Sequence, residues 1–130
     1  MLYHSTNNTA HRVDLKEAIL RSLPPDNGLY MPDRLPSLDA GFWDTWREKS
    51  FREIGFAVAS AFFHEDVPEQ ALREIVDGTL EFDAPVVTLA PGDHVLELFH
   101  GPTLAFKDLA MQVVARLMNR ALLRKGVRAT

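Results

Sequence analysis

The sequence contains no cysteine. That excludes disulfides and thiolate zinc sites, and it is compatible with a reducing compartment. No apolar run approaches the length of a membrane span. The opening residues, Met1-Leu2-Tyr3-His4-Ser5-Thr6-Asn7-Asn8, lack the charged-then-apolar layout of a secretory signal. A cytoplasmic location with no membrane partner is therefore the expectation. Lys and Arg number 14 against 18 Asp and Glu, giving a net charge of −4 without a basic cluster or a run of like charge. Nothing in that distribution points to nucleic acid. The five histidines form no H-E-x-x-H or other paired ligand spacing, so no metal site is expected. G-x-S-x-G, Walker and G-x-G-x-x-G motifs, internal repeats and low-complexity segments are all missing.

What is present suits a soluble globular protein. At 130 residues, with 46% hydrophobic and 25% charged residues, the chain can build one core but not two full domains. Leu2 to Ser5 reads as a short strand ending at the turn-prone Asn7-Asn8. Asp14-Leu15-Lys16-Glu17 reads as a capping box, with Asp14 at the N-cap and Glu17 reaching back. Leu15, Ala18, Ile19 and Leu23 then follow at helical spacing as far as Pro24. Asp26-Asn27-Gly28 is a turn into an extended piece, with Gly28 able to take positive φ.

Phe42, Trp43 and Trp46 predict a short helix that buries one or both tryptophans. Ser50-Phe51-Arg52-Glu53 is a second capping box, opening a helix with Phe51, Ile54, Val58, Ala61 and Phe62 on one face. Gly55 on it leaves room for a close neighbour. A third helix starts near Pro68, runs through Leu72, Ile75 and Val76, and ends near Gly78. Pro85 to Leu89 and Val95 to Phe99 read as strands, separated by a Pro91-Gly92-Asp93 turn.

From Lys107 onward apolar residues surround most of a long helix, leaving only a narrow polar stripe of Asp108, Gln112, Arg116, Asn119 and Arg120. Such a helix expects burial on more than one side. Gly126 is placed to end it, with Arg124 and Lys125 favourable near its negative terminus. Residues 1–90 can cover one side, whereas the other calls for a parallel sheet whose next strand would begin near Val127-Arg128-Ala129-Thr130. The expectation is an N-terminal piece of a longer protein.

One stretch carries chemistry. In Leu96-Glu97-Leu98-Phe99-His100-Gly101-Pro102-Thr103-Leu104-Ala105-Phe106-Lys107-Asp108, a strand and a Gly-Pro loop lead to a lysine at a helix start. Lysine is the side chain there that forms a reversible imine with a carbonyl, and this geometry holds a flexible amine at the mouth of a crevice. Taken alone, a lysine in a first helical turn is usually a solvated charge. Asp108 is equally placed to stabilise the helix N-terminus, and His100 reads as a loop histidine satisfied locally.

The whole string closely resembles the cofactor-lysine segment of threonine synthases, members of the tryptophan-synthase-β-like, fold type II group of pyridoxal-phosphate enzymes. Tyr3-His4-Ser5-Thr6, Lys16-Glu17-Ala18-Ile19-Leu20 and Asp26-Asn27-Gly28-Leu29-Tyr30-Met31-Pro32 resemble the start of the same family. Its opening commonly reads Tyr-x-Ser-Thr-Arg-Gly; here Asn7-Asn8 stands in place of Arg-Gly, which removes a cation, and Asn27 replaces a glycine of the later turn.

The resemblance implies an α/β fold, locally α+β. A small, mostly helical N-terminal domain (residues 1–90) would precede the first strand and helix (residues 91–130) of a truncated parallel-sheet catalytic domain. It implies pyridoxal 5′-phosphate as cofactor, with Lys107 as the catalytic residue joined to it and Phe106 packing beside it. Thr103, His100 and Asp108 become candidate substrate-binding residues. The reaction implied is a lyase reaction converting O-phospho-L-homoserine and water to L-threonine and phosphate, in threonine biosynthesis. For imine exchange the Lys107 amine must be neutral, which partial burial and the helix N-terminus would favour. The loop that holds the cofactor phosphate in this family falls beyond Thr130, so the 130 residues are expected to be inactive alone. They are also expected to self-associate through the apolar face of residues 109–123. Two alternatives remain: a related phospho-lyase that eliminates phosphate to a keto acid, and a free-standing, non-catalytic binding or assembly module.

Overall fold

The computed structural model describes residues 1–123. The expected helix end at Gly126 and the strand start after it lie outside the described residues. Strand β1 (Leu2–Ser5) is central in a three-stranded antiparallel sheet of order β2-β1-β3, flanked by β2 (Arg12–Asp14) and β3 (Tyr30–Pro32). Alternation along β1 turns Tyr3 and Ser5 inward, while Leu2 stays about half exposed. β2 was not anticipated from the sequence, where only the Asn7-Asn8 turn before it and the Asp14 cap at its end stood out.

Helix α1 (Leu15–Arg21) follows β2 directly. Asp14 caps it, its Oδ1 accepting from the Glu17 amide at 2.7 Å. The reciprocal half of the expected box is replaced by an ion pair, Glu17 Oε1 to Arg21 Nε at 3.1 Å. The helix stops at Arg21, short of the expected Pro24, where Ser22 takes φ 66°. In the next turn positive φ falls on Asn27 (59°) rather than on Gly28. Asparagine tolerates that conformation, and Gly28 is needed for another reason: a Cβ there would lie 3.0 Å from Thr6 Oγ1 and 3.1 Å from the Asn7 amide nitrogen.

Helix α2 (Ala40–Thr45) is capped by Asp39, whose Oδ1 accepts from the Phe42 amide at 2.9 Å. Neither tryptophan is buried, contrary to the sequence reading. The helix is only six residues long and turns Phe42 inward, leaving Trp43 and Trp46 exposed at 58% and 41%. Helix α3 (Phe51–Phe63) carries the complete Ser50–Glu53 capping box. Its packed face is Phe56, Ala59 and Phe63 rather than the expected Phe51, Ile54, Val58, Ala61 and Phe62. α3 is apolar nearly all round, so spacing alone could not choose the side that meets helix α4 (Glu69–Thr79). Gly55 admits the Leu80 side chain against the α3 backbone, as expected.

α4 presents Leu72, Ile75 and Val76 to the core, with Leu72 only 1% exposed. Two arginines donate to carbonyls at its C-terminal end: Arg52 Nε to Leu80 O at 2.9 Å and Arg116 Nη2 to Gly78 O at 2.5 Å. β4 (Val86–Ala90) and β5 (Asp93–Leu96) then form an antiparallel hairpin with both strands exposed. β5 is shorter than the expected Val95–Phe99 strand. Among the described residues it pairs with β4 and not with a parallel neighbour, because the tight Pro91-Gly92 turn folds it straight back.

Helix α5 (Lys107–Leu123) packs one side on α1 and α4. Leu117 joins Tyr3, Val13, Leu15, Leu72 and Ile75 in the core, whereas Met111 and Val114 remain exposed. Among the described residues the architecture is thus α+β: a small three-stranded sheet and five α-helices, with the hairpin inserted between α4 and α5.

Candidate active site

The chain leaves β5 at Leu96, and the Glu97 amide still donates to Pro85 O at 2.9 Å, so the hairpin holds the start of the lysine loop. Glu97 Oε2 lies 2.7 Å from His100 Nε2, and the His100 ring stacks on Phe99 with centroids 4.7 Å apart. His100 is therefore satisfied within its own loop. Glu97, its partner, is the residue that sequence reasoning missed; their i, i+3 spacing was the available signal.

A tight turn follows. The Leu104 amide donates to Gly101 O at 3.1 Å, and Leu104 takes φ 59°, which a branched side chain seldom adopts. The Asp108 amide donates to Ala105 O at 3.0 Å. Asp108 itself is 5% exposed and points back into the turn. Its Oδ1 accepts from Thr103 Oγ1 at 2.6 Å and its Oδ2 from the Thr103 amide at 2.9 Å. Those bonds, the Thr103 hydroxyl first, hold the Asp108 carboxyl below the usual carboxylate range despite its burial. Gly101 is buried against it: a Cβ at 101 would lie 2.7 Å from Asp108 Cβ and 2.9 Å from Cγ. The turn closes only without a side chain at that position.

Lys107 is the first residue of α5 and is exposed. Against the expected partial burial, nothing among the described residues buries it. Among them its amine has no ion-pair partner. Phe106 and Leu104, 65% and 74% exposed, leave apolar surface on the same turn. The structure thus brings Thr103 and Asp108 together, gives His100 to Glu97, and leaves Lys107 and Phe106 facing outward. A cleft of about 400 Å³ between α4 and α5, lined by Glu74, Arg116 and Arg120 among others, includes no residue of this loop.

Residues 2–80 match the family model described as threonine synthase N terminus. The chain belongs to the threonine synthase family. It is 37% identical over 130 residues to the threonine synthase of Schizosaccharomyces pombe, a match covering 95% of this chain and 25% of that protein. Against threonine synthase-like 2 of Xenopus laevis it is 33% identical, covering 100% of this chain and 29% of the relative. A crystal structure of PLP-bound threonine synthase from Brucella melitensis superposes with a TM-score of 0.87 at 39% identity, over 97% of this chain and 28% of that one. The chain therefore spans about a quarter of the length of the curated threonine synthases it matches.

Proposed function

We propose that this chain supplies the cofactor lysine of a pyridoxal-phosphate-dependent threonine synthase, a carbon–oxygen lyase acting on O-phospho-L-homoserine and water to give L-threonine and phosphate. The observation that carries this reading is the placement of Lys107: an exposed, unpaired amine, among the described residues, on the first turn of α5, beyond a turn locked by Asp108. These residues fit the cofactor. The amine is accessible to an aldehyde, and the bare faces of Phe106 and Leu104 offer apolar surface for an aromatic ring.

When bound, pyridoxal phosphate supplies the electron sink that lets protons leave the α and β carbons of an amino acid. Lys107 is the attachment point, and once released its amine carries protons between those carbons. Phe106 packs beside the ring. His100 has its Nε2 engaged by Glu97 within the loop. We assign residues 1–90 to the N-terminal domain and 91–130 to the beginning of the catalytic domain, in a cytoplasmic enzyme. The cofactor phosphate falls to the portion of the relatives that this chain does not span. The 130 residues alone are then inactive, and the open side of α5 is a surface for self-association.

Borohydride reduction of the full-length protein with its cofactor, followed by digestion and mass analysis, tests the reading. The label should sit on Lys107; a label on Lys16, Lys49 or Lys125, or none, overturns it. A second reading, a threonine-synthase-like phospho-lyase that eliminates phosphate to a keto acid, stays open because the chain is also 33% identical to a protein named threonine synthase-like 2. Product analysis with phosphohomoserine separates the two: threonine supports the first, 2-oxobutanoate the second.

A further inference from the structure

We infer that Asp108 and Thr103 form a positioning clamp for the Lys107 amine and do not contact substrate. This rests on the proposed role of Lys107. Both carboxylate oxygens of Asp108 are occupied by Thr103, at 2.6 Å from the hydroxyl and 2.9 Å from the amide. Two acceptor sites of that carboxylate are filled, and at 5% exposure its remaining lone pairs are turned away from any bound molecule. Thr103 in turn spends both its donors on Asp108, so neither residue is available to an incoming phosphate or carboxylate.

The clamp acts on Lys107 through the backbone. Asp108 follows the lysine directly on the rigid first turn of α5, and Thr103 lies four residues before it on the loop. Joining the two closes residues 103–108 into a ring that spans the lysine. The Asp108 amide bonds to Ala105 O inside that ring, the Leu104 amide ties it back to Gly101 O, and Leu104 is held at φ 59°. A leucine keeps that backbone only where its surroundings impose it. Gly101, buried and without a side chain, leaves the room that lets Asp108 close onto the turn. The direction of the Lys107 Cα–Cβ bond is thereby fixed before any cofactor arrives. Preorganisation of this kind matters because a displacement of about 1 Å costs up to roughly a hundred-fold in rate.

The test uses the full-length protein stripped of cofactor, and three variants: Asp108→Asn, Thr103→Val and Thr103→Ser. The readouts are the rate of pyridoxal phosphate attachment, followed by absorbance and by borohydride trapping at Lys107, and the pH midpoint of the cofactor's lysine-linked absorption band. Thr103→Val keeps the charge and the amide donor but loses the hydroxyl. It should attach cofactor roughly ten- to a hundred-fold more slowly and shift the midpoint, while Thr103→Ser restores both. Val and Ser variants alike in rate and midpoint, or an Asp108→Asn protein matching wild type, overturn the clamp. If Asp108→Asn does not fold, the Val and Ser pair decides alone. Wild-type protein that takes no label at Lys107 overturns the proposed function instead, so the two failures are distinct.

Discussion

Arg116 of α5 donates through Nη2 to the carbonyl oxygen of Gly78 at 2.5 Å, tying the lysine-bearing helix to the end of α4. A side chain at 78 would press on that guanidinium, with Arg116 Cζ 3.0 Å from a Cβ placed there. The bond is charge-assisted and solvent-exposed, so it is weaker than a buried one. Arg116→Ala should lower stability by about 1 kcal/mol, read as a lower urea midpoint at unchanged slope. An unchanged midpoint would show that α5 is held by Leu117 and its apolar neighbours alone.

Leu72 sits at 1% exposure among Val67, Ala71 and Ile75. Truncation there opens a cavity where sheet and helices meet. Leu72→Ala should cost about 2–5 kcal/mol, and Leu72→Met less than about 1.5 kcal/mol because volume is kept. Denaturant titration of both variants distinguishes a packing site from a merely apolar one.

Gly55 faces the tip of the Leu80 side chain, with Val76 Cγ1 at 3.6 Å from where a Cβ would stand. Leu80 is a flexible terminus that can give way, and alanine gains up to about 1 kcal/mol in helix propensity. Gly55→Ala should therefore be close to neutral in thermal melts. Gly55→Leu has no such escape and should destabilise by about 1–3 kcal/mol.

Asp26 accepts from Ser5 Oγ at 2.7 Å and from the Gly28 amide at 3.0 Å. These bonds, the Ser5 hydroxyl first, hold its carboxyl below the usual range. A carboxylate with a lowered folded pKa stabilises fully above its unfolded value of about 3.9 and loses that contribution as pH falls through the folded value. Glu53, Glu65 and Asp108 are shifted the same way. Stability should therefore be flat near neutrality and fall below about pH 4, with Asp26→Asn making the acid limb shallower. Urea midpoints measured across that range check the slope; an Asn variant with the wild-type slope would remove Asp26 from the account.

Features written in local chemistry were legible in the sequence: the caps at Asp14 and Ser50, the core face of α4, and the start of α5 at Lys107. Each depends on a few neighbouring residues. Tertiary choices were not legible. Which side of α3 meets α4, and which of Phe42, Trp43 and Trp46 turns inward, are decided by partners distant in sequence. β2 has three residues and exists because β1 offers it an edge. At the candidate site Lys107 stood out through an unusual string. The inward turn of Asp108 and the positive φ of Leu104 had no signal, since an aspartate after a lysine looks the same whether it faces solvent or closes a loop.

The Ser5–Asp26 contact also governs how the three strands slide. Ser5 lies opposite Tyr30 in the sheet, fully buried, and its oxygen also accepts from the Asn7 amide at 3.2 Å. Shifting β1 by one position would bring His4 or Thr6 toward the aspartate and swing Tyr3 out to water. With strands only three or four residues long, few ladder bonds resist such a shift, and the Ser5 hydroxyl shares the pinning of β1 on the 26–29 turn with Asn7 Nδ2 to Asp26 O at 3.0 Å and the Leu29 amide to Thr6 Oγ1 at 2.9 Å.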